Sequence, residues 1–247
     1  MSSPTRKVAL GDLWLIGFGL VAVAQLAFVA FHVPVAALVA TWTLAPLLAV
    51  WVWRMDGPKL LVLALVFCWV GDVVGNPRQI GIGPGGLLLS VAAFAVANVC
   101  LITLFVQRGA LNALRAATGG VQRWRAALTL LYVLGAVAGL FVTWSSFEPA
   151  LRTAAGIYLL LLVGTAATAM AVDTRAGIGA GLFFASELLI ALAVAGRVSA
   201  TATTHRLEVL VLYMLGILLI AVGVVRRELR AKQLLNIDKD VVQRADR

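Results

Sequence analysis

The chain has 247 residues, 62% of them apolar and only 13% charged, against about 25% charged residues in an ordinary soluble domain. That balance excludes a water-soluble globular enzyme. The formal net charge of +9 does not indicate nucleic acid either, because the basic residues fall between apolar runs and at the chain ends, and no separate basic domain is left to make phosphate contacts.

The apolar residues come in runs near twenty long, the length that carries a helix across a bilayer. Inside lipid every backbone polar group must be satisfied, so a spanning segment is a helix or part of a closed barrel. Barrel strands alternate apolar and polar residues, whereas the runs 60–70 and 157–163 are unbroken. The pattern predicts an all-α, polytopic membrane helix bundle with eight transmembrane helices, at about 9–31, 35–53, 59–76, 86–106, 125–144, 151–172, 177–196 and 206–225.

The first span resembles a secretory leader, with Arg6-Lys7 ahead of an apolar run and Ala22-Val23-Ala24 within it. The run continues through Ala30, too long for a leader, so it is expected to be retained. Pro34 follows it, Asp56-Gly57-Pro58 divides spans two and three, and Gly75-Asn76-Pro77 through Gly86 divides three and four. In span five, Gly135 and Gly139 form a small-residue face suited to close helix packing. Trp14, Trp51, Trp53, Trp124 and Trp144 sit near span ends, where an aromatic belt is expected. The transmembrane domain is read as 1–225. Residues 226–247, with mixed charges and Leu234, Leu235 and Ile237, are read as a cytosolic charged tail, either a short amphipathic surface helix or a solvated segment.

Sixteen of the twenty lysines and arginines fall on one side of this arrangement, leaving only Arg78, Arg152, Arg197 and Arg206 on the other. The basic side is the cytosol by the positive-inside rule. Both termini are therefore expected there, in a bacterial cytoplasmic (inner) membrane.

Ionisable groups within spans are costly and usually face an interior cavity. Asp12 opens span one, where a helix N-terminus favours a carboxylate. Asp72 in span three and Glu187, about ten residues or roughly 15 Å into span seven, are different, because both lie at similar depth. Thr43, Trp69, Asn98, Tyr158, Ser186 and Tyr213 give them polar company. Two carboxyls in one low-dielectric site suit general acid–base work, one donating a proton while the other stabilises a developing cation. Other signals lead nowhere. Gly81-Ile82-Gly83-Pro84-Gly85-Gly86 formally fits GxGxxG but joins two spans and follows no strand. His32 and His205 are interfacial and read as structural. Ser145-Ser146 has no nucleophile elbow. Cys68 and Cys100, both within spans, have no metal or redox spacing and read as packing residues. No metal and no cofactor is expected.

At these residues the chain resembles the lysoplasmalogenase family, also called YhhN-like. The resemblance runs from span two to span eight. It is carried by Val66-Phe67-Cys68-Trp69-Val70-Gly71-Asp72, Ile157-Tyr158-Leu159-Leu160-Leu161, Gly179-Ala180-Gly181-Leu182-Phe183-Phe184-Ala185-Ser186-Glu187 and Leu212-Tyr213. It implies an eight-helix membrane hydrolase that cleaves the vinyl-ether bond of lysoplasmalogens to a fatty aldehyde and glycerophospho-ethanolamine or -choline. The family's Gly-Asp acid falls on Asp72 and its Ser-Asp acid on Glu187, with Trp69, Asn98, Tyr158, Ser186 and Tyr213 as the implied substrate-binding groups. The implied partners are a single-chain ether lipid or lysophospholipid and the surrounding membrane lipids. The chain departs from the pattern at several places: the second acid is Glu187 rather than Asp, and polar or basic family positions read Ala45, Asn98, Leu101 and Ile217. The fold expectation survives these changes; the head-group expectation is the one they touch.

Two other readings follow from the same residues: a hydrolase of another single-chain lipid ether or ester, or a non-catalytic lipid- or drug-binding membrane protein of the same fold. A transporter is disfavoured by the lack of interrupted spans or a clear inverted repeat.

The topology is testable by cysteine labelling on a background lacking Cys68 and Cys100. In intact cells an impermeant thiol reagent should label Gln79→Cys and spare Gln122→Cys; the reverse pattern inverts the orientation.

Overall fold

The computed structural model describes residues 4–75, 85–116 and 120–245. Among the described residues the chain is helical without strands. It forms α1 (Pro4–Ala30), α2 (Pro34–Arg54), α3 (Lys59–Val74), α4 (Gly86–Gln107), α5 (Ala110–Arg115), α6 (Gly120–Thr143), α7 (Pro149–Val172), α8 (Thr174–Val194) and α9 (Thr203–Ala245), with a 3₁₀ turn at Trp144–Ser146.

The sequence accounts for most of the breaks. Pro34 and Pro149 occupy the opening turns of α2 and α7, where a missing N–H costs nothing. Pro34 thus begins a helix rather than merely ending its predecessor. The tight turns after α1 and α2 place His32 and Asp56 at positive φ (57° and 51°). The turn after α7 is closed by Asp173, whose carboxylate accepts from the backbone N–H of Arg175 and Ala176, both at 3.0 Å, capping α8.

Seven of these helices are long and apolar enough to cross a membrane, and α3 is not among them. The span expected at 59–76 is a helix of 16 residues, about 24 Å at 1.5 Å per residue, against about 30 Å of hydrocarbon. Gln79, beyond its end, lies outside the described residues. The short α5 was not foreseen. The tail expected after residue 225 is not a separate element, because α9 runs unbroken through Ala245.

One end of the bundle is tied together through α9. Lys232 Nζ donates to the Asp56 carbonyl at 3.1 Å, Arg108 pairs with Glu228, and Arg227 donates to the Val172 carbonyl. At the opposite end Thr203 Oγ1 lies 3.1 Å from His32 Nε2. The connections at 55–58, 108–109 and 172–174 therefore share one end, and the α1–α2 turn lies at the other. Between them α3 runs antiparallel to α4: Ser90 Oγ, in the second turn of α4, donates to the Gly71 carbonyl at 2.9 Å.

The core lies between α2, α3, α4, α7, α8 and α9. Trp51 belongs to this core and is buried, so it is no part of an interfacial belt; its position on α2 turns it away from lipid, while Trp53, two residues on, is 73% exposed. The expected role of Gly135 and Gly139 holds. A Cβ at Gly139 would stand 2.2 Å from Leu188 Cδ1, and one at Gly135 would stand 3.4 Å from Phe184, so α6 leans on α8 through this face. The tightest contact joins α8 and α9. A Cβ at Gly179 would lie 2.7 Å from the Gly216 carbonyl, and one at Gly216 would lie 2.8 Å from the Phe183 nitrogen. Backbone meets backbone there, as small-residue helix pairs in membranes permit.

Gly216→Val should therefore destabilise the protein by about 1–3 kcal/mol or more, seen as a lower Tm in detergent. Gly17→Ala, whose Cβ meets nothing within 4 Å, should leave Tm unchanged or raise it slightly.

Candidate active site

Two carboxyls enter the bundle interior from different helices. Asp72 projects from the last turn of α3 and Glu187 from the middle of α8. Tyr213 of α9 donates its hydroxyl to Asp72 Oδ2 at 2.7 Å. The Tyr213 ring is held by Phe94 of α4, edge-on at 6.3 Å and 86° between planes, and by Phe183 of α8 at 5.8 Å; Phe94 and Phe183 stand 6.0 Å apart. Two rings from two other helices thus fix one phenol in front of one carboxyl, in the edge and tilted geometries that aromatic pairs favour.

The glycine beside Asp72 has a packing role. A Cβ at Gly71 would lie 2.6 Å from the Phe94 ring. The missing side chain lets the collar close on Tyr213.

Glu187 opens onto a cavity of about 90 Å³ between α4, α6, α7 and α8. Its walls are almost wholly apolar, including Leu87, Leu140, Phe147, Leu159 and Ile190, and its polar groups are Glu187, Tyr158 and Thr143. The Tyr158 hydroxyl interacts with Glu187 and lies within electrostatic reach of both carboxyls. Asp72 and Glu187 are likewise within electrostatic reach of each other. Cys68, one helical turn before Asp72 and buried, feels both. The assembled group is two carboxyls, two phenols and a thiol.

Of the seven residues expected at the site, Asp72, Glu187, Tyr158 and Tyr213 come together. The other three do not. Trp69 is 39% exposed on the outer face of α3 and lines no described cavity. Its three-residue offset from Asp72 leaves it about 60° away around the helix, enough to carry the ring outward. Asn98 is fully buried but committed to structure: its Nδ2 donates to the Phe94 carbonyl at 2.9 Å and its Oδ1 accepts from Thr165 Oγ1 at 2.7 Å. Ser186 donates to the Val209 carbonyl at 3.0 Å, joining α8 to α9. Cys68, Phe94 and Phe183 were missed. For Cys68 the i, i+4 spacing to Asp72 was available as a signal; for Phe94 nothing in the sequence set it apart from other core residues.

A model described as the YhhN family matches residues 36–224 of the chain. Neither a curated protein nor a solved structure matches it.

If Asn98 is a structural cross-link, Asn98→Ala leaves the buried Thr165 hydroxyl without its acceptor and costs about 1–3 kcal/mol. Thermal unfolding in detergent should show the loss. Ser186→Ala, which only removes a donor to a carbonyl already within a helix, should cost about 1 kcal/mol or less. An Asn98→Ala protein as stable as the parent would return Asn98 to the list of site residues.

Proposed function

The chain belongs to the YhhN family, and from that premise we propose that it is a lysoplasmalogenase-like hydrolase. It opens the vinyl-ether bond of a lysoplasmalogen to give a fatty aldehyde and glycerophospho-ethanolamine or -choline. The observation that carries this reading is that Asp72 and Glu187, from two helices, lie within electrostatic reach of each other, with Glu187 on an apolar cavity of about 90 Å³. The apolar lining of that cavity suits a hydrocarbon chain.

The reaction needs a proton delivered to the β carbon of the vinyl ether, which leaves an oxocarbenium ion at the α carbon. Water adds to that carbon and loses a proton, and the hemiacetal collapses to aldehyde and alcohol. One carboxyl of the pair gives the first proton. The other, ionised, stabilises the cation and takes the proton from water. Tyr213, fixed by its aromatic collar, orients the Asp72 carboxyl toward that task, and Tyr158, beside Glu187 on the cavity wall, does the same for the second carboxyl.

A second reading rests on a specific observation. Ala45, Leu101 and Ile217 are all buried in the core, and Leu101 and Ile217 line a small cavity beside Asn98 and Cys68. Apolar side chains thus occupy positions where family members carry polar or basic ones. This favours a different head group, another single-chain lipid, or binding without turnover.

The topology enters the same proposal. α3 lies antiparallel to α4 and is buried through Leu61, Ala64 and Leu65, which supports an eighth crossing, with both termini at the basic end.

Purified protein should release aldehyde from lysoplasmalogens and none from the saturated-ether analogues. Asp72→Asn and Glu187→Gln should each lower the rate about 10²–10⁴-fold with little change in Tm, because a neutral amide is cheaper to bury than an ionised carboxylate. Lipid binding without aldehyde from any substrate would favour the binding-protein reading. Full activity in either variant removes that acid from the mechanism.

A further inference from the structure

The richest feature unused by the carboxyl site lies at the basic end of the bundle. α9 presents Gly223, Arg226, Arg227 and Arg230 at offsets of three, four and seven residues, one face of a helix. Gly223 lets this face close on the start of α8: a Cβ there would lie 2.7 Å from Asp173 Oδ1 and 2.9 Å from the Ala176 nitrogen. The result is a basin of about 630 Å³ lined by Arg125, Arg175, Arg226, Arg227 and Arg230, with Asp173 as its one carboxylate. That carboxylate is already engaged in capping α8. Among the described residues none of the five arginines forms a salt bridge, since the one pair found joins Arg108 to Glu228. Arg125 is held in place by Thr174 Oγ1 at 3.0 Å, yet its Nε is buried with no acceptor. The positive end of α8 adds to the field.

A second space opens directly from this basin. Between α1 and α9 runs a groove of about 1120 Å³ walled by Leu15, Phe18, Leu26, Met214, Leu218 and their neighbours, and its two charged lining residues are Arg175 and Arg226. The same two arginines line the basin, so the groove ends where the basin begins. Along α9 its lining runs from Val211 to Arg226, about 22 Å at 1.5 Å per residue, more than the roughly 15 Å depth of one leaflet's hydrocarbon.

We propose that the joined groove and basin are a binding site for an anionic phospholipid of the leaflet at the basic end, its acyl chain lying between α1 and α9 and its phosphate on Arg175, Arg226 and Arg230. Guanidinium groups pair with phosphate oxygens in bidentate fashion, and basic pockets between membrane helices are suited to such head groups. The apolar groove alone would accept any lipid; the arginines at its mouth select for negative charge. One wall, α1, lies ahead of the residues 36–224 that the family model matches, so the site is built partly from sequence outside the matched region. It is independent of the hydrolase reading, because none of these arginines touches the carboxyl pair.

The test is thermal unfolding of the delipidated full-length protein in neutral detergent. Phosphatidylglycerol near saturation should raise Tm by roughly 5–10 °C. Phosphatidylcholine with the same chains should not, and neither should inorganic phosphate. Two variants separate site from surface charge. Arg226→Gln with Arg230→Gln weakens the head-group contacts. Gly19→Leu fills the groove without changing charge, and it should fold, because a Cβ at Gly19 meets nothing within 4 Å. Each should remove at least half of the phosphatidylglycerol shift. Equal stabilisation by phosphatidylcholine overturns the proposal. So does inorganic phosphate matching the lipid, which would make the basin a free-anion site, or a lipid shift that survives both variants.

Discussion

Lipid gives helices no hydrophobic reason to associate, so this bundle depends on how closely its backbones can approach. The contact that sets the rest is the one between α8 and α9 at Gly179 and Gly216, where main chain rests on main chain. From it, Ser186 reaches the Val209 carbonyl and Phe183 comes against the ring of Tyr213. Tyr213 then stands where it can donate to Asp72 of α3. A wider α8–α9 spacing would move the phenol and the Glu187 carboxyl apart, because one is carried by each helix. The site geometry is thus a consequence of two missing side chains several residues away from any reacting group.

Polar groups in the interior divide into two kinds. Most are spent on cross-links: Gln25 to Thr41 at 2.6 Å between α1 and α2, Ser90 to Gly71 between α4 and α3, Asn98 to Thr165 between α4 and α7. Each ties together two helices and leaves little capacity for a ligand. The carboxyls and phenols around Glu187 are of the second kind. Glu187 and Tyr158 both line the apolar cavity and interact with each other there, so their polar ends face its space as well as each other.

Helix type and most boundaries were legible because they rest on long apolar runs and on Pro and Gly at fixed places; α4 and α7 fall within two residues of expectation. The carboxyl pair was legible too, since charge inside an apolar run is rare enough to stand out. What sequence could not supply was direction around each helix. Trp69, Asn98 and Ser186 lie in the right segments and at useful depths, yet one faces outward and two are consumed by inter-helix hydrogen bonds. That choice is set by which neighbour packs on which face, information held in no single segment. The same reason hid Phe94, whose importance comes only from Gly71 and Tyr213 on two other helices. For α3 the expected span of 59–76 and the described helix Lys59–Val74 differ by two residues, and the Asn76-Pro77 pair that disfavours helix lies outside the described residues.

The arginines of α9 show how one helix can serve two chemistries without conflict. Tyr213 and Arg226 are thirteen residues apart, about 20 Å along the axis. Phenols and carboxyls therefore work in the apolar interior while the guanidiniums work at the surface, each in the dielectric it tolerates. The positive-inside rule accounts for basic residues at this end in general, but not for five of them around one basin that also opens onto a groove in the hydrocarbon. Charge needed only for orientation can sit at any helix end, as Arg54 and Arg115 do. The i, i+3, i+4, i+7 spacing of Gly223, Arg226, Arg227 and Arg230, with the glycine packed on the capped start of α8, instead concentrates it at the mouth of the groove between α1 and α9.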